Sequence, residues 1–218
     1  MAILLVVLSR VINGRRRLLW LTIPLIYIWT NLHASMVIGL YLFASYFCIA
    51  LLSSFIWKRR EDRFLARDIG LWGLASFIVT LLPPLGTKVY QLLFLFYEKR
   101  QFITQVIEEW QLLSVLGIRY YLYLLIIGSA ITAYIIGSLR LRQWRKTMFY
   151  FPLLPLGLFV LTGVRQTAFA MPAVLILFAP FISSVHLPKL SNTFRRAVTV
   201  VILLTTTVIL WFYRIEIL

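Results

Sequence analysis

Ala34–Trp57 reads ASMVIGLYLFASYFCIALLSSFIW, with no charged residue, and is followed at once by Lys58-Arg59-Arg60-Glu61-Asp62-Arg63. A helix crossing a bilayer needs roughly 20 consecutive apolar residues, because a rise of about 1.5 Å per residue must cover about 30 Å of hydrocarbon. The run is long enough, and a cluster of cations is where a membrane helix characteristically stops. The stretch therefore predicts a transmembrane helix, and much of the remaining sequence repeats its pattern of apolar run and basic boundary.

Composition agrees. Of the 218 residues, 61% are hydrophobic and only 13% charged, and the mean hydropathy is +0.91. Soluble domains average about 45–50% apolar and about 25% charged. These values exclude a soluble globular domain, a disordered tail and a secreted disulfide scaffold. The single cysteine, Cys48, lies within an apolar run and excludes an internal disulfide and a cysteine-based metal cluster. The net charge of +15 would suggest nucleic acid in a soluble protein. Here the cations fall in short clusters between apolar runs, so the expected partners are membrane lipids and not nucleic acid. No cofactor or metal is expected.

Outward from Ala34–Trp57, the tight turn Asn31-Leu32-His33 separates it from a shorter span, Leu18–Trp29, which either continues into the basic segment or stops below the far surface. Met1–Ser9 is apolar but too short to span. Its basic residues, Arg10 and Arg15-Arg16-Arg17, follow the apolar segment, the reverse of a secretory signal. It reads as the last turns of a helix that begins before Met1. Lys58–Asp68 reads as a loop and Ile69–Leu82 as a span, closed by Pro83-Pro84-Leu85-Gly86. In the long connection Lys88–Gln111, Val89–Tyr97 suits the membrane interface, with Tyr90 and Tyr97 as anchors. Glu98-Lys99-Arg100 and Glu108-Glu109-Trp110-Gln111 flank an amphipathic helix with Phe102, Ile103, Val106 and Ile107 on one face. Tyr120–Ser138 spans, Leu139–Lys146 is a basic loop, and Met148–Leu161 and Ala168–Val185 span around a turn at Gly163–Thr167. His186–Arg196 is a loop and Ala197–Tyr213 the last span. The expected fold is all-α: a polytopic transmembrane helical bundle of about seven spans plus an N-terminal partial span. Residues 1–218 form a single integral membrane domain in this reading.

Charge orients it. Arg10–Arg17, Lys58–Arg67, Arg140–Lys146 and Lys189–Arg196 fall on one face under this list of spans and hold 16 of the 22 Lys and Arg residues. By the positive-inside rule that face is cytoplasmic. Asn31–His33, the Pro83–Gln111 connection and the Gly163–Thr167 turn then face outward from a plasma (inner) membrane.

Three polar clusters share that outer face. Polar and ionisable groups at membrane depth are costly and mark function, yet each cluster also has a plainer explanation. Asn31 either contributes to a site or caps the Ala34–Trp57 helix. His33 either donates to a phosphate or moves a proton, or is simply a satisfied interfacial residue. Glu108 and Glu109 are either binding carboxylates or a solvated pair. Trp110 stacks on a ligand or anchors at the interface. Arg165 clamps a phosphate bidentately or snorkels to head groups. No Walker loop, HExxH, GxSxG or paired Cys or His at ligand spacing occurs in the sequence. The scarcity of acidic residues in the apolar runs argues against a proton- or sodium-coupled transporter.

Trp29-Thr30-Asn31-Leu32-His33-Ala34-Ser35 with Gly39-Leu40, then Pro84-Leu85-Gly86 with Tyr90, then Ile107-Glu108-Glu109-Trp110-Gln111, then Arg165 occur in that order. The series resembles a family of bacterial polytopic membrane proteins placed near the GT-C glycosyltransferases, over about Arg10 to Val185. Ala34-Ser35 stands where that family has a glycine pair, and Pro83 where it has asparagine. The resemblance implies glycosyl transfer at the outer face from a polyprenyl-phosphate sugar donor. It implies that Arg165 and His33 meet the phosphate, Glu109 orients a hydroxyl, Trp110 stacks on a sugar ring, and Asn31 belongs to the same substrate-binding set. It also implies that the catalytic acid lies in an earlier outer loop, so that this chain is the C-terminal portion of a longer enzyme and inactive alone. No catalytic residue is assigned within it. The competing expectation is a non-enzymatic integral membrane protein: a lipid-binding or assembly subunit, or a transporter fragment.

Overall fold

The computed structural model describes residues 1–33, 35–82, 84, 86–99, 102, 118–159 and 166–184. Among them every regular element is helical. The helices are α1 (Ala2–Ile12), a 3-10 turn (Arg16–Leu21), α2 (Thr22–Leu32), α3 (Met36–Ile56), α4 (Arg60–Val79) and α5 (Lys88–Glu98). There follow α6 (Ile118–Leu141), α7 (Trp144–Met148), α8 (Leu153–Phe159), α9 (Gln166–Leu177) and α10 (Ala179–Ser184). Two of these, Met36–Ile56 and the Tyr120–Leu141 part of α6, are long and apolar enough to cross a membrane.

The N-terminal apolar segment is a helical element running past Arg10. Leu4, Leu5, Val7, Leu8 and Val11 form its buried face, the i, i+3, i+4, i+7 stripe of a helix packed on one side. It stops at Asn13-Gly14. The Gly14 N–H donates to the Val11 carbonyl and the Arg15 N–H to the Arg10 carbonyl, both at 2.9 Å. This Schellman closure requires a positive φ, +99° at Gly14, a conformation that glycine adopts without a Cβ penalty.

α2 has 11 residues, about 16 Å of helix, and does not cross a bilayer on its own. α3 matches the expected span closely. Only Trp57–Arg59 links it to α4, so the two lie as an antiparallel hairpin. Here an expectation is corrected: Lys58–Asp68 is not a loop, because α4 begins at Arg60. Glu61 and Asp62 sit in its first turn, where acidic side chains complement the helix dipole. Buried Asp62, Leu65, Ala66 and Ile69 continue the i, i+3, i+4, i+7 stripe through the charged stretch.

The C-terminal spans are more broken than expected. α6 runs through Leu141, so Leu139–Lys146 is the end of one helix, a short turn and the start of α7. Within Met148–Leu161 the described helix is the 7-residue α8, which starts just after Pro152. The described part of the Ala168–Val185 segment is helical from its first residues and divides at Phe178. Pro180 has no N–H to continue a helical ladder there. Gly137 of α6 passes so close to α10 that a Cβ would lie 2.2 Å from the Phe181 nitrogen. In the long connection, Lys88–Glu98 forms α5 and Phe102 is described beyond it. The rest of the expected amphipathic helix, the His186–Arg196 loop and the Ala197–Tyr213 span lie outside the described residues.

One core joins α1 to α9. Leu4, Leu8, Ile26, Leu42, Ile69, Leu153 and Leu177 are among its largest fully buried side chains. The exterior is apolar as well. Phe55 and Leu125 are each 70% exposed, Leu71 60% and Leu175 64%, an outer surface that suits lipid better than water.

Candidate functional site

The α3–α4 hairpin gives the molecule two chemically different ends. One carries the turn between α2 and α3. His33, extended at φ −162°, leaves α2 with its N–H bonded to the Trp29 carbonyl at 2.9 Å. Its Nδ1 accepts the Ser35 N–H at 2.9 Å, so the ring is held by its own turn with the hydrogen on Nε2. Trp29 Nε1 donates to Ser35 Oγ at 3.0 Å. Gly39 lets Trp29 and Ile26 close over α3, a Cβ there lying 2.7 Å from Ile26 Cδ1. The turn is held by bonds that its own polar groups make to one another.

Asn31 does not cap the following helix. It is the penultimate residue of α2, exposed, and its Nδ2 donates to the Tyr27 carbonyl at 2.8 Å. The cap position of α3 belongs to Ser35. Asparagine after an apolar run satisfies a helix C-terminus as readily as it opens the next helix, and the sequence does not separate the two. At the same end, Tyr90 of α5 hydrogen-bonds through its hydroxyl to Thr80 Oγ1 and packs against Phe77 at a ring distance of 6.2 Å. Asn31, His33 and Tyr90 therefore occupy helix ends on one side of the hairpin. Glu109, Trp110 and Arg165 lie outside the described residues.

The opposite end holds a charged cluster that composition and hydropathy do not reveal. Asp62, in the charged first turn of α4 before the apolar Ile69–Leu82 segment, is 1% exposed. Arg145 grips it bidentately, Nε to Oδ2 at 2.9 Å and Nη2 to Oδ1 at 2.6 Å, and Ser53 Oγ donates to Oδ2 at 2.7 Å. Burial alone would push this carboxyl up. The hydrogen bonds from Arg145 and Ser53, with the charges of Arg145 and Arg59, outweigh it and hold Asp62 below its ordinary value. Arg145 is correspondingly raised, chiefly by its bond to Asp62. Arg16 adds a second tie, to Asp68 Oδ2 at 3.5 Å and to the Glu61 carbonyl at 3.0 Å. Three of the four basic clusters thus meet at one end of the bundle. The signal for Asp62 in the sequence is its place on the i, i+3, i+4, i+7 stripe with Leu65, Ala66 and Ile69, masked by the five cations around it.

Chemically, Asp62 is an ionised anchor and not a proton carrier. A cavity of about 490 Å³ adjoins its partner Arg145. Arg10, Asn13, Tyr46, Lys146 and Tyr150 also line it, with apolar side chains from α1, α8 and α9. No group of three or more His, Cys, Asp or Glu residues able to hold a metal occurs among the described residues. No family model, no curated protein and no solved structure matches this chain.

Proposed function

We propose that the chain is the multi-pass transmembrane portion of an inner-membrane glycosyltransferase of the GT-C-like type, using a lipid-phosphate sugar donor at the outer face. The observation that carries this reading is the polarity of the bundle. Three of the basic clusters are tied together by Asp62–Arg145 and Arg16–Asp68 at one end, while the Trp29–Ser35 turn and Tyr90, which carry part of the resemblance, fall at the other. With the basic end cytoplasmic, the motif-bearing end is outside.

In this mechanism the acceptor hydroxyl attacks the anomeric carbon while the bond from that carbon to the lipid phosphate breaks. A carboxylate takes the hydroxyl proton, and cations neutralise the departing phosphate. Arg165 and His33 serve the phosphate, Glu109 orients a hydroxyl, Trp110 stacks on the sugar, and Asn31 belongs to the same substrate-binding set. A guanidinium offers paired bonds to phosphate that a lysine cannot match in geometry. The test is photocrosslinking of a polyprenyl-phosphate probe to the chain in membranes. Arg165→Lys should lose most crosslinking and Arg165→Ala nearly all, with expression and detergent stability unchanged. Wild-type crosslinking in both variants would remove Arg165 from the site.

A further inference from the structure

We infer that the cavity at the basic end binds the head group of an anionic phospholipid, with its acyl chain along α1. Two kinds of wall meet in it. Arg10 and Lys146 line it, both exposed, and neither has an acidic partner among the described residues. Arg145 also lines it, but its charge is offset by Asp62. The cavity therefore presents two uncompensated cations and no lining carboxylate among the described residues. Tyr46 is 5% exposed and lines the same space, and its hydroxyl makes no hydrogen bond to another described residue. A hydroxyl open to the cavity in this way can donate to a phosphate oxygen.

The apolar wall identifies the remainder of the ligand. Leu5, Val6, Leu153 and Ile176 line the cavity. Val6 is also 58% exposed on the outer side of α1, so the space continues onto the lipid-facing surface. A volume of about 490 Å³ falls within the range of small-ligand sites. An inorganic anion would use the cations alone and leave this wall empty; a phospholipid uses both. The site adds a lipid contact at the end opposite the proposed donor site and does not rest on sugar transfer.

The experiment is native mass spectrometry of the full chain in neutral detergent, titrated separately with dioleoyl phosphatidic acid, dioleoyl phosphatidylcholine and inorganic phosphate. Wild type should prefer phosphatidic acid over phosphatidylcholine by about tenfold or more, the effect of two cations on an anionic head group. Arg10→Gln/Lys146→Gln should abolish the preference, and the charge-conserving Arg10→Lys/Lys146→Arg should keep it. Ala179→Phe, which fills the cavity from its lining, should weaken phosphatidic acid binding with both cations in place. Unchanged preference in the double Gln variant, loss in the charge-conserving variant, full binding in Ala179→Phe, or equal binding of inorganic phosphate would each overturn the proposal.

Discussion

At the scale of single residues, Asp62 joins α3, α4 and α7 through Ser53 and Arg145. Removing its charge leaves the largely covered Arg145 beside a neutral amide. Breaking a buried pair costs about 3–5 kcal/mol, less where one partner is partly solvated, so Asp62→Asn should destabilise the chain by roughly 2–3 kcal/mol. The double variant Asp62→Asn/Arg145→Gln should recover part of that loss, since no orphan charge remains. Denaturant titration in detergent measures both, and an Asp62→Asn chain as stable as wild type would contradict the ion-pair assignment. The pH dependence follows from the sign of the shift. The folded carboxyl titrates below its ordinary 3.8, so its contribution is complete at neutral pH and down to about that value, and is lost as pH falls through the lower folded value. Wild type should therefore show acid sensitivity below about pH 4 that Asp62→Asn lacks. Asp62 is hard to find in the sequence because composition reads a cluster of charges as solvent-facing, whereas helical spacing puts one of them inward. For His33 the sequence locates the turn but not its use: the imidazole Nδ1 accepts the Ser35 N–H, a local bond that depends on backbone geometry.

At the scale of elements, long uniform runs are legible in the sequence and interrupted ones are not. α3 matches its expected bounds within two residues at each end because nothing in Ala34–Trp57 competes with a helix. The start of α4 is concealed because its first turns are charged, yet acidic residues at a helix start are stabilising. The Met148–Leu161 and Ala168–Val185 runs are divided where their apolar pattern suggests continuity, at Phe149–Pro152 and at Phe178, and Pro152 and Pro180 supply no backbone donor there. The packing of α6 on α10 is a tertiary fact with only a glycine to announce it. With a Cβ at Gly137 2.2 Å from the Phe181 nitrogen, a methyl group there must push backbone aside. Gly137→Ala should cost at least about 2 kcal/mol, in the upper part of the overpacking range. Gly128→Ala, with open space around it, should be neutral or slightly stabilising through helix propensity. Thermal melts of the two variants in detergent compare them directly, and equal melting points would contradict the α6–α10 contact.

At the scale of the whole molecule, the described residues form a helical bundle with a basic end and an opposite end that carries the Trp29–Ser35 turn. The helical class is legible because composition and hydropathy are summed over the chain and survive errors in individual boundaries. The convergence of three basic clusters is legible as charge alternation, but the acidic residues that bind them together are not. Of the proposed substrate-binding set, Asn31 and His33 share one end, while Glu109, Trp110 and Arg165 lie outside the described residues. The proposed function depends above all on orientation: α4 must run from a cytoplasmic Arg60 end to an outer Val79 end. The most direct measurement is cysteine accessibility in a Cys48→Ser background, with single cysteines at Arg63 and at Thr87, both exposed. Intact right-side-out cells treated with a membrane-impermeant maleimide should label Thr87→Cys and leave Arg63→Cys unlabelled until the membrane is opened. Labelling of both positions from the outside, or of Arg63→Cys alone, would contradict this orientation.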